Sequence, residues 1–86
     1  MKELTGHEAL VKAKELVNQQ DTNIVISVNM QESTTQIFEL YGHYYKMDIN
    51  IKFSDAWFRE IEKAEAQVLV DYFKVLHSKE IEFGGF

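Results

Sequence analysis

The side chains able to do chemistry are few and scattered. Cysteine is absent, so a nucleophile would have to be Ser27, Ser33, Ser54 or Ser78, none of which stands in a Gly-x-Ser-x-Gly setting. Ser54 reads better as a helix cap and Ser33 as a turn residue. His7, His43 and His77 are far apart, near a helix start, a turn and a helix end, where a lone imidazole is ordinarily a surface residue. His7-Glu8 lacks the second histidine four residues on that a zinc helix needs, and no aspartate-rich calcium loop occurs. His77 and Glu80 have the spacing of a di-iron Glu-x-x-His pair read backwards, without the companion motif. Glu60, Glu62, Glu65 and Asp71 interleave with Arg59, Lys63 and Lys74, the pattern of a solvated face. Gly84-Gly85 leads into no helical run, so no phosphate cradle is expected. The expectation is no catalytic site, no metal site and no cofactor.

Composition narrows the field further. At 86 residues the chain has room for a single domain over 1–86, and a pocket of roughly 300 Å³ is hard to carve from so small a core. The sequence is 45% hydrophobic and 13% aromatic, which is globular rather than disordered. A net charge of −5 argues against a general phosphate-binding surface, so direct nucleic-acid contact is not expected. The longest apolar runs, such as Ile24-Val25-Ile26, fall far short of the ~20 residues of a membrane span. Met1-Lys2-Glu3-Leu4 opens no apolar leader, and missing cysteines suit a reducing compartment, so the expected location is cytoplasmic.

Hydrophobic spacing predicts the elements that would position any site. Thr5-Gly6-His7-Glu8 fits a capping box, and Ala9, Leu10, Ala13, Leu16 and Val17 follow at helical spacing, giving a helix over 5–19. Ile24–Met30 and Tyr44–Phe53 alternate as strands. Thr35–Tyr41 is ambiguous alone, but Gly42-His43 can form a II′ turn that pairs Leu40 with Tyr45 and Phe38 with Met47. A long helix is predicted from Asp55 to Ser78, capped by Ser54 and stapled by Phe53 and Phe58. Its main stripe is Trp57, Ile61, Ala64, Val68, Tyr72 and Val75, widened by Leu69, Phe73 and Leu76, with Val70 lying away from it. Residues 79–86 read as a frayed tail or a short added strand.

The expected fold is therefore α+β: an α-β-β-β-α chain with a three-stranded antiparallel sheet and both helices on one face. Placing one helix on each face is disfavoured because Lys46, Asp48 and Asn50 make the second face polar. The element order is similar to that of double-stranded RNA-binding domains, which grip phosphates with a basic start to the final helix. Here that stretch, Ser54-Asp55-Ala56-Trp57-Phe58-Arg59-Glu60, is acidic and aromatic, which speaks against such a grip.

Two apolar surfaces stand above background. One is an outer sheet face bearing Ile37, Tyr41 and Tyr44, with Val25 nearby. The other is the over-wide arc of the long helix, including Val70 and Phe73. A contiguous exposed patch suggests a partner, although cover by the C-terminal segment or the first helix would explain both. The function expected is a non-enzymatic protein–protein interaction module, dimeric or bound to a larger protein partner, with Ile37, Tyr41, Tyr44, Val70 and Phe73 as contact residues. The alternative is an acidic inhibitor or DNA mimic, against which the interspersed lysines weigh.

Overall fold

The computed structural model describes residues 2–86. In chain order the elements are β1 (Leu4–Thr5), α1 (Gly6–Val17), β2 (Asn23–Asn29), β3 (Ser33–Leu40), β4 (His43–Asn50), β5 (Asp55–Ile61), α2 (Lys63–Leu76) and β6 (Ile81–Phe83). The strands form one six-stranded sheet in the order β1-β5-β4-β3-β2-β6, with every pair antiparallel. The α+β class stands, but the three-stranded sheet of the sequence reading is corrected to six strands.

The largest correction lies in residues 55–61. They form the strand β5, paired with β1 on one side and β4 on the other, instead of the first half of a long helix. Ala56 and Phe58 face one way and are buried; Trp57, Arg59 and Ile61 face the other, where Ile61 is buried and the first two half-buried. A strand packed on both faces loses its clean apolar–polar alternation, so its pattern passes for helical. Ser54 accordingly caps nothing: it sits in a turn at φ 55°. Phe53, the supposed staple, is 66% exposed, whereas Phe58 is fully buried.

The helices take opposite faces of the sheet, which corrects the single-face layering. In the paired register Phe38, Tyr45 and Glu60 lie in line on one face, and Ile37, Lys46 and Arg59 on the other. Ala9, Ala13 and Leu16 of α1 pack on the first face with Phe38, Leu40, Met47, Ala56 and Phe58. Ala66, Val70 and Phe73 of α2 pack on the second with Val25, Ile26, Val28, Ile37, Tyr44 and Ile61. A bulge between Ile24 and Ile26 delivers both Val25 and Ile26 to the α2 side. The polar residues that counted against a helix here are real: Lys46, Asp48 and Asn50 stay half-buried on this face and outside the cluster that packs with α2.

The β3–β4 hairpin exists, but its turn lies one residue earlier than the sequence suggests. Leu40 pairs with His43, Phe38 with Tyr45 and Gln36 with Met47. Tyr41 and Gly42 are the central residues, at φ 52° and 83°, and positive φ at both positions is the type I′ pattern. The pairing thus moves by two positions along β4, which leaves every side chain on its expected face. Thr5 takes the N-cap position of α1 in an extended conformation but makes no side-chain capping bond.

The C-terminal segment forms the short added strand. β6 pairs with β2, and the Gly84 and Gly85 amides both donate to the Val25 carbonyl at 2.8 and 3.2 Å. Gly84 is needed there, because a Cβ would overlap the Ile24 carbonyl oxygen. The Phe86 ring then lies 6.0 Å from that of Tyr44, at the edge of the α2-side core.

Candidate interaction face

The five residues picked out as partner contacts fall in two places. Ile37, Tyr44, Val70 and Phe73 belong to the single cluster under α2 and are 0–8% exposed. The chain itself thus covers the sheet patch that Ile37 and Tyr44 contribute to. Tyr41 remains at the hairpin tip, 71% exposed, its hydroxyl donating to Asp21 Oδ2 at 2.6 Å. That contact holds the phenol above its ordinary pKa.

The open surface lies elsewhere on the same side of the sheet. On the α2 side of β4 and β5, Tyr44 and Ile61 are buried with α2, whereas Lys46, Asp48, Trp57 and Arg59 are only half-buried. Cross-strand register makes Lys46 the neighbour of Arg59, and Asp48 that of Trp57. Lys46 Nζ lies 3.0 Å from Asp48 Oδ2, and the Thr35 hydroxyl donates to Asp48 Oδ1 at 2.5 Å. Arg59 donates through both terminal nitrogens to the two oxygens of Glu65, near the start of α2. This pairing raises the Arg59 pKa and holds the Glu65 carboxyl below the ordinary range. The floor therefore carries charges that are already matched, around the chain's one tryptophan.

α2 forms a wall beside that floor. Glu65 marks the flank facing β5, while Lys74 on the other flank sets its Nζ 3.7 Å from the centre of the Phe83 ring on β6. At ~100° per residue, Leu69, Tyr72 and Leu76 share the Glu65 flank. Val68 and Val75 lie just outside them. Val68, Tyr72, Val75 and Leu76 are 67, 50, 79 and 58% exposed. In the sequence reading Val68, Tyr72 and Val75 belonged to the sheet-facing stripe and Val70 lay outside it; the helix is turned the other way. The signal that could have found this wall was the excess width of the apolar arc.

The groups considered for chemistry do not converge. His43 Nδ1 lies 3.0 Å from Glu60 Oε2 on the opposite face of the sheet. His7 borders a shallow groove of about 350 Å³ beside α1, lined also by Leu4, Glu8 and Val11. A second hollow, of about 250 Å³, is edged by Ser27, Gln36 and Glu82, where the Gln36 amide donates to Ser27 Oγ at 3.2 Å. No histidine lines it. Among the described residues no three His, Asp or Glu side chains gather as metal ligands would. No helix among them is long and apolar enough to cross a membrane.

Comparisons with known proteins return no match: no family model, no curated protein and no solved structure resembles the chain at a significant level.

Proposed function

We propose that this chain is a non-enzymatic protein-binding module, and that its contact face is the α2 wall together with the open floor of β4 and β5. The observation that carries this reading is the exposure of Val68, Tyr72, Val75 and Leu76 side by side on one helix. Isolated exposed apolar residues are ordinary, but a contiguous row bordered by charged residues is the mark of an interaction site. Trp57, Arg59 and Tyr72 add the residue types that most often anchor protein interfaces. The matched ion pairs of the floor favour a partner that brings apolar surface, since they offer no large field of one sign. A reducing, cytoplasmic setting suits a chain without cysteine.

The test is affinity capture from the native host with wild type, Val68→Asp, Trp57→Ala and, as a control on the far face, Val11→Asp. Capture lost with the first two variants and kept with the control supports the reading. Capture that is indifferent to all three, or none with wild type, rejects it. Capture through this face that survives high salt marks an apolar contact. Capture that moves to other residues and collapses with salt would favour the acidic-mimic alternative instead.

A further inference from the structure

We propose that the hollow edged by Ser27, Gln36 and Glu82 binds a small polyhydroxylated ligand through two neighbouring hydroxyls. It lies on the α1 side of the sheet, opposite the α2 wall, so it stands independently of the protein-binding reading. Strand register builds it. Glu82 pairs with Ser27, Ser27 with Gln36 and Gln36 with Met47, one row across β6, β2, β3 and β4. Met47 is buried with α1, whereas Ser27, Gln36 and Glu82 lie outside that cluster. Ile24 and Gly84 also line the hollow, Gly84 so near the Ile24 carbonyl that no Cβ fits between them.

The lining groups select the ligand. Ser27 is 7% exposed, and its Oγ accepts from the Gln36 amide at 3.2 Å and from the Asn29 amide at 3.5 Å. A hydroxyl has one proton and two lone pairs, so both lone pairs are engaged and the proton is left to donate. No side-chain acceptor among the described residues takes it. A buried donor without a partner is costly, and a ligand oxygen would relieve that cost. Beside it stand Gln36 Oε1 and the Glu82 carboxylate, and Glu82 has no ion-pair partner among the described residues. The hollow thus offers one donor next to three acceptor oxygens. An anion would meet the carboxylate. An ammonium or guanidinium group only donates, so it would leave the Ser27 proton unmet. The hydroxyls of a sugar or cyclitol donate and accept at once: one donates to Glu82, and its neighbour accepts from Ser27 and donates to Gln36. Ile24 gives the C–H face of the ring an apolar contact. At about 250 Å³ the hollow falls below the roughly 300–1,000 Å³ of sites for drug-sized ligands, which suits a single ring.

The experiment follows the amides of the isotope-labelled full chain by NMR as myo-inositol, methyl mannopyranoside, methylguanidinium or acetate is added. Inositol stands for a free polyol and the glycoside for the end of a glycan, so whichever binds names the source. Saturable shifts centred on Ser27, Gln36 and Gly84 are expected with at least one of these two, with a dissociation constant on the order of 1 mM. Glu82→Gln should weaken that binding at least about fivefold, since a charged acceptor holds a hydroxyl more strongly than a neutral one. Ser27→Ala, with folding checked by circular dichroism, should abolish it, and Glu80→Gln should leave it unchanged. No saturable shift with either polyol up to ~100 mM overturns the proposal. Shifts with methylguanidinium or acetate alone overturn it too, marking an ion site instead. Polyol binding that is undiminished in Glu82→Gln places the ligand elsewhere and likewise overturns it.

Discussion

Arg59 on β5 and Glu65 on α2 are six residues apart, and their two parallel hydrogen bonds close the corner where the chain leaves the sheet for the helix. A fork matched to a carboxylate fixes direction as well as distance. That contact orients the α2 wall relative to the β4–β5 floor, and a pH test follows from it.

The Arg59 partnership lowers the Glu65 pKa in the folded chain. Its contribution is therefore present above the ordinary carboxylate range and is lost as pH falls through the lowered folded value. With side chains 35% and 40% exposed, the pair is worth about 0.2–1 kcal/mol. Melting Glu65→Gln beside wild type should show a small deficit near neutrality that closes in acid. A deficit that persists unchanged into strong acid would sink the ion pair as its cause.

Phe58→Ala and Phe53→Ala separate strand from helix for residues 55–61. Phe58 is fully buried against α1, so its truncation should cost about 3–5 kcal/mol in a urea titration. Phe53, 66% exposed in the turn, should cost under about 0.5 kcal/mol. Comparable losses at both positions would restore the staple and the long helix.

The facing of α2 can be read from two valines. Val70 is 1% exposed and Val75 is 79% exposed. Val70→Asp should unfold the domain, because it buries an unpaired carboxylate. Val75→Asp should keep the wild-type circular dichroism spectrum. Reversal of these outcomes would turn the helix over.

Gly84→Ala probes the C-terminal cover. The added methyl meets the Ile24 carbonyl, so the segment should lift from β2. Hydrogen exchange at the Gly84 and Gly85 amides, which donate to Val25, should then accelerate at least tenfold. Unchanged exchange would mean the tail does not pack as described.

The sequence by itself determined the α+β class, α1, the three strands of the central meander and the faces of the β3–β4 hairpin. Those features depend on short-range spacing: alternation in β2 and β4, a helical run after Thr5, and a glycine at the turn. Even the two-position change in pairing preserved the faces, because side chains alternate with period two. What only the tertiary structure decided begins at Ser54. With a helix on each side of the sheet, β5 carries apolar side chains on both faces, and Trp57 and Ile61 fall by coincidence on a helical phase with Val68 and Tyr72. Reading one long helix carried that phase past Glu62 and turned the exposed row of α2 inward. The strand–helix break frees α2 to rotate, and packing against Val25, Ile37 and Tyr44 then chooses Ala66, Val70 and Phe73 as its buried side. Periodicity reports that a helix has apolar sides; which side meets the sheet depends on contacts remote in the chain.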